Sequence, residues 1–419
     1  MMKIKNGLTI LNQKKRKKKP KTLKMDINHP LFDKINPETA PKRILSLDGG
    51  GIRGIVTLQF LKRIETLLRE RHQNDKFVLA DYFDFIGGTS TGSIIATALA
   101  LGHDVDFIIE KYEALATKIF PKSRIAQLRN FLRFGVLFDK ENLLKELGHI
   151  FKEETLGSDA LKTCLGIVTK RADKNSAWML YNNPEQKYYV DNKDILLKDA
   201  VRASSAAPVF FLPEKLKVKD ATPEKEKQEY WFEDGGVSMH NNPALLLFFT
   251  AILRGNESDG RKGHGFNWQK GADKLMLVSV GTGFWRSGRS EASLKSRNLF
   301  AKLKVLLGIL MDDSSQLTEL MLQMLSKNSP TARPIDKMYG TLLNENFVAE
   351  PMLHYLRYNL EIDKAVLQKD FNTIFDDTQI ASLQDMTKSE NIKALKDLSD
   401  KATVSVQSAH FPTIFDKTK

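Results

Sequence analysis

Two strand–glycine–helix units stand back to back in this sequence, and they restrict the fold more than any other feature. In the first, "RILSLD" (43–48) reads as a short buried strand and "GGGIRG" (49–54) as a glycine turn. Ile55, Leu58, Leu61, Ile64, Leu67 and Leu68 then recur at helical spacing. In the second, "FDFIGG" (83–88) reads as a strand, and "GSIIATALALG" (92–102) as a helix of small and apolar residues ending at Gly102. Consecutive units of this kind predict an α/β domain with a mostly parallel sheet. Further strands are expected at Cys164–Lys170, Trp178–Tyr181, Tyr230–Glu233 and Leu275–Val280, with helices separating most of them and no internal repeat. "ALLLFFTAIL" (244–253) reads as a buried helix.

At 419 residues the chain can bury a large core. The texture changes near residue 290, where "LFAKLKVLLGILM" and "SQLTELMLQMLS" are Leu- and Met-rich helical patterns with no comparable strand signal after them. The expected division is a basic tail and linker over 1–40, disordered; an α/β domain over 41–290; and a mainly helical part over 291–419, packing or regulatory. Residues 1–24 hold ten Lys and Arg and no acid, which leaves +3 of the net +13 for the rest. Such a run can meet anionic lipid at about 1 kcal/mol per residue. It can equally meet nucleic acid, act as a targeting signal, or stay solvated. The body has no basic stripe interleaved with aromatics, which argues against specific nucleic-acid recognition. No apolar run reaches the ~20 residues of a membrane-spanning helix, and the N-terminus lacks a signal-peptide core. Cys164 is the only cysteine, so neither an intramolecular disulfide nor a cysteine-based metal site can form. A reducing, cytoplasmic location with peripheral membrane contact is the expectation.

The first glycine loop, Gly49-x-Gly51-x-x-Gly54, spells the dinucleotide fingerprint. A nucleotide-dependent oxidoreductase also needs an acid about 20 residues on, at the end of the second strand. Asp75 has the distance, but it precedes the "KFVLA" segment instead of ending it. The same amides can instead cradle an oxyanion. The second loop carries Gly88-x-Ser90-x-Gly92 at a strand-to-helix turn, the pattern of a nucleophile elbow. Side-chain-free neighbours let strand and helix approach while the serine occupies a strained backbone position. Its plainer reading is a Gly-Ser turn that caps the helix through Ser90. A nucleophilic serine needs a base. Of eight histidines none has a clear triad setting, and His240 reads as a surface or packing residue. Asp234 closes the apolar "YWFEDGG" and is followed by two glycines. If it touches Ser90, it can act as the base with no histidine; its plainer reading is an Asp-Gly turn.

Taken in order, "DGGGIRG" (48–54), "GTSTG" (88–92) and "DGG" (234–236) resemble the patatin-like phospholipase family. "ASSAAPVFFLP" (203–213), "NNP" (241–243) and "SVGTG" (279–283) fit as well, and the likeness spans roughly 43–290. The resemblance implies a three-layer α/β/α sandwich around a mainly parallel sheet. It also implies hydrolysis of fatty-acyl esters of membrane phospholipids by a Ser-Asp dyad, with Ser90 as nucleophile and Asp234 as base. Gly88 and Gly92 then flank the elbow, and Gly49, Gly50, Gly51, Arg53 and Gly54 supply the oxyanion loop. Arg53 either steadies that loop or meets the lipid phosphate. Neither metal nor organic cofactor is implied. Bacterial anti-phage effectors of the family are switched on by cyclic oligonucleotides, and the extra helical part resembles that group, so a cyclic-nucleotide activator is expected. The non-enzymatic alternative is a membrane-binding protein with an inactive hydrolase domain.

Overall fold

The computed structural model describes residues 27–39, 41–119, 136–138, 140–219, 227–253, 265–286, 299–326, 329–335, 338, 340–342, 345 and 347–416. The lysine-rich run of residues 1–24 lies outside them. One sheet organises the described residues. Its strands are β1 (Lys42–Leu47), β2 (Phe85–Thr89), β3 (Cys164–Arg171), β4 (Ser176–Tyr181), β5 (Glu214–Val218), β6 (Gln228–Asp234), β7 (Leu275–Val280) and β8 (His354–Tyr358). Their order is β5-β6-β3-β2-β1-β7-β8, with β4 on β3. The run from β3 through β2, β1 and β7 to β8 is parallel, whereas β4, β5 and β6 join by antiparallel pairing.

Alternation along the central strands explains the layering. Successive side chains point to opposite faces, and both faces are apolar. Leu45, Leu47, Ile86, Met276, Val278 and Val280 enter one core. Ile44, Phe85, Leu275 and Leu277 enter the other. The first core is covered by α1 (Gly54–His72), α2 (Thr91–Ala100), α3 (Val105–Ile119) and α4 (Lys140–Phe151). The second is covered by α5 (Ala244–Ile252) and the end of α6 (Leu299–Ser326). The result is the expected α/β/α sandwich. The apolar run at 244–253 is a helix as expected, and its Ala244, Leu247, Phe248 and Ala251 are buried.

Three features differ from the sequence expectation. β8 lies in the part expected to be mainly helical, and it extends the sheet beside β7 with Met276 facing His354 and Val280 facing Tyr358. Its five residues include His354 and Arg357, which hide a buried strand among polar letters. The first core also contains Leu356, Leu395, Leu398, Phe411 and Phe415, so it runs continuously across residue 290. β5, "EKLKV", was hidden in the same way by charges on a strand that, among the described residues, pairs with β6 alone. Finally, the segment expected to be a disordered linker is ordered over residues 27–39. Leu31 and Ile35 are buried, and Lys34 Nζ donates to the Ala80 and Phe83 carbonyls at 2.7 Å each.

Candidate active site

Strand register brings the two expected catalytic residues together. Thr89, the last residue of β2, faces Val168 of β3, and Asp234, the last residue of β6, faces Thr169. The ends of a parallel and an antiparallel strand therefore meet over consecutive residues of β3. Ser90 follows Thr89 directly, and its Oγ donates to Asp234 Oδ2 at 2.6 Å.

Local sterics explain why the elbow is spelled with glycines. Ser90 has φ 54° and ψ −125°, a sparsely populated conformation for an L-residue that costs on the order of 1–3 kcal/mol. A Cβ on Gly88 would come within 2.2 Å of the Gly92 carbonyl oxygen, and one on Gly92 within 2.4 Å of the Leu47 carbonyl oxygen. Only hydrogen fits at either place. The Ser90 N–H donates to Ser204 Oγ at 2.9 Å, and Ser204 in turn donates to the Val168 carbonyl at 2.6 Å. Ser90 is thus tied to β3 from its backbone as well as through Asp234.

The carboxylate is buried, at 3% exposure. Loss of solvent pushes its pKa up to about 6, opposed by the Ser90 hydroxyl, the Gly236 N–H at 2.7 Å and the charge of Arg202. It remains ionised at neutral pH and is a stronger base than a free aspartate. His240 offers its backbone carbonyl to Thr89 Oγ1 at 2.7 Å, and burial lowers the pKa of its ring, which agrees with a packing role.

The glycine loop passes over the serine: a Cβ on Gly49 would lie 3.2 Å from Ser90 Cβ. Its residues do not contribute alike. The Gly49 N–H donates to the Asn241 carbonyl at 3.1 Å, which removes it from the donors facing the cleft. The Gly54 N–H turns back to the carbonyls of Gly51 and Ile52. Gly50 and Gly51 line the cleft beside Ser90. Their N–H groups bond to no other described residue, so they are the loop donors open to an oxyanion. Arg53 does not face the cleft. It is 3% exposed, lies over the Trp285 ring at 5.0 Å and lines a separate polar cavity with Asp48 and Asp312. Of the two roles expected for it, the structure therefore supports steadying the loop. Asp75 sits in the turn after α1, away from any strand end, so the acid of the dinucleotide reading has no place to act.

The cleft over Ser90, about 860 Å³ counted with the space open to solvent at its mouth, is walled by apolar side chains, including Ile94, Leu115, Ile119 and Phe210. Leu307 and Met311 of α6 and Met386 close it from the C-terminal part. Such a chamber suits a hydrocarbon chain far better than a nucleotide. Among the described residues no group of His, Cys, Asp and Glu could hold a metal ion. No helix among them is long and apolar enough to cross a membrane.

Residues 45–248 match the family model described as patatin-like phospholipase. This segment is a patatin-like phospholipase domain. The chain is 33% identical over 226 residues to a cGAMP-activated phospholipase of Vibrio cholerae serotype O1, covering 52% of this chain and 59% of that one. Likewise, it is 30% identical over 242 residues to a cGAMP-activated phospholipase of Escherichia coli, covering 57% and 62%. With patatin-like protein 1 of Arabidopsis thaliana it shares 29% over 259 residues, covering 57% and 58%. The chain thus spans about three-fifths of the length of these relatives. The matched segment holds Ser90, Asp234 and the glycine loop, whereas Leu307, Met311 and Met386 lie beyond it. Ser204 and Asn241 sat inside motifs quoted from the sequence but carried no assigned role. Nothing local to Met386 signals its place at the site.

Proposed function

We propose that this chain is a serine acyl hydrolase that cleaves fatty-acyl esters of membrane phospholipids. The observation that carries the reading is the 2.6 Å hydrogen bond from Ser90 Oγ to the buried Asp234 carboxylate, at the floor of an apolar cleft. Asp234 takes the proton of Ser90 as Oγ attacks the ester carbonyl. The Gly50 and Gly51 amides receive the charge that develops on the carbonyl oxygen; one such donor contributes roughly 3 kcal/mol to transition-state stabilisation. The tetrahedral adduct collapses to acyl-Ser90 as the lysolipid alkoxide leaves with the proton from Asp234. Asp234 then deprotonates water, which attacks the acyl-serine and releases the fatty acid. Mass spectrometry of vesicles after incubation with the protein tests the reading: free fatty acid and lysolipid should appear together. Their absence with wild type, under every activator tried, would count against it.

Because α6 forms one wall of the cleft, it should set the acyl chain that fits. Met311→Trp is expected to slow release of long acyl chains by about tenfold. Hydrolysis of a p-nitrophenyl acetate ester should stay within about twofold of wild type. Equal effects on both would remove Met311 from the acyl wall.

A cyclic dinucleotide is the proposed activator, on the strength of the two bacterial relatives that carry cGAMP in their names. The anti-phage role expected from the same resemblance, and the peripheral membrane contact expected from the basic tail, belong to this reading. Addition of cGAMP to the purified chain should raise both its melting temperature and its rate of fatty-acid release. An unchanged melting temperature and rate at saturating concentration would reject cGAMP as the activator.

A further inference from the structure

The oxyanion loop is braced from behind by a buried chain of charges that the reaction itself does not use. Asp48 is the residue directly before Gly49, and its N–H donates to the Val280 carbonyl at 3.1 Å. Arg357 of β8 grips its carboxylate with two nitrogens, Nη1 to Oδ1 at 3.0 Å and Nη2 to Oδ2 at 2.6 Å. The same Nη1 donates to Ser279 Oγ of β7 at 2.7 Å. Glu319 of α6 stands behind, its Oε2 3.6 Å from Arg357 Nε, and is held in turn by Arg333 through two contacts of 2.7 Å. Asp48, Glu319 and Arg357 are all buried.

Burying ion pairs is seldom the most stable solution, since apolar replacements of similar volume are often neutral or better. What a two-nitrogen contact adds is direction: it fixes the plane of the carboxylate as well as its position. Here the fixed carboxylate sits where the chain leaves β1 for the loop. One residue later, the Gly49 carbonyl accepts from Thr282 Oγ1 at 3.0 Å and its N–H is held by Asn241. The next two residues carry the open N–H groups.

We propose that Arg357 is a positioning residue for acyl transfer. By orienting Asp48 it sets the path of the chain out of β1, and so the aim of the Gly50 and Gly51 amides at the ester oxygen. The proposal rests on the hydrolase reading above. Lysine at 357 keeps the charge but offers one compact ammonium where two nitrogens are required. Misplacement of a reacting group by about 1 Å can cost about 10²-fold in rate.

The test uses the full-length chain, hydrolysis of p-nitrophenyl butyrate, and labelling of Ser90 by a fluorophosphonate, with rates expressed per labelled serine. Arg357→Lys should lower kcat by about 10–10²-fold with KM within about twofold. Phosphonylation of Ser90, which builds charge on the same oxygen, should slow in parallel. Arg357→Met should lose more than Arg357→Lys. A purely structural role would instead reduce the labelled fraction and the melting temperature while leaving kcat per labelled serine unchanged; that result overturns the proposal. If the position 357 variants do not fold, Glu319→Gln decides. It leaves Asp48 gripped but loosens Arg357, so a fall in kcat at constant KM supports the proposal and an unchanged kcat overturns it. A wild-type chain that hydrolyses no ester and takes no label overturns the hydrolase reading itself. Turnover by wild type with equal turnover by Arg357→Lys overturns only the positioning role.

Discussion

Ser90→Ala is expected to lower fatty-acid release by about 10⁴-fold or more while the protein stays folded. The substitution removes a hydroxyl that is held by a buried carboxylate in the cleft that Gly50 and Gly51 also line. Alanine keeps the Cβ and the volume, and the Ser90 N–H bond to Ser204 is a backbone bond that the change does not touch. Circular dichroism and the melting curve of the variant should overlay those of wild type. Its lipid products, followed by mass spectrometry, should be indistinguishable from a vesicle blank. Wild-type turnover by folded Ser90→Ala would eliminate Ser90 as the nucleophile.

Asp234→Asn should cost about 10²–10⁴-fold, because the amide can accept a hydrogen bond but cannot take the proton. The two forms should also differ in their response to pH. In wild type the base must be ionised, and its pKa is held at about 6. So kcat/KM should fall with a slope of one as pH drops below about 6 and level off above it. The variant should lack that limb. Stability should move in the opposite sense. Burial raises the carboxyl above its ordinary value of 3.8, so the folded state binds the proton more tightly than the unfolded chain does. Folding therefore loses stability as pH rises from about 4 to about 6 and does not regain it above. Asparagine carries no charge to bury, so at pH 8 the variant should melt at or above the wild-type temperature. Loss of activity with a melting point several degrees lower would point to misfolding instead of a missing base.

Some of this site was legible from the chain and some was not, and the division follows the range of the interactions. The Gly-x-Ser-x-Gly elbow is a local steric statement, since Gly88 meets Gly92 and Gly92 meets Leu47 at distances only hydrogen allows. Such a constraint is written into neighbouring letters. Asp234 was readable as a strand end beside glycines. By contrast, its contact with Ser90 depends on how β2 and β6 register against β3, which no single stretch encodes. The glycine loop was recognisable as a cradle. Yet which N–H groups stay open is decided by Asn241, and the direction of Arg53 by Trp285, both far along the chain. β8 escaped notice because a buried Arg357 looks like surface until Asp48 is found opposite it.

The end-on meeting of β2 and β6 has a consequence for control of the proposed hydrolase. A base delivered by a long loop can be withheld and then swung into place. Here the separation of Ser90 and Asp234 follows from the one-residue step between Val168 and Thr169, deep in a paired strand. The proposed dyad is therefore assembled as soon as the sheet is. An inactive form of such a protein cannot easily keep its nucleophile and base apart without unzipping β3. Restraint has to fall elsewhere, on admission of lipid past Leu307, Met311 and Met386, or on the aim of the loop that Arg357 holds.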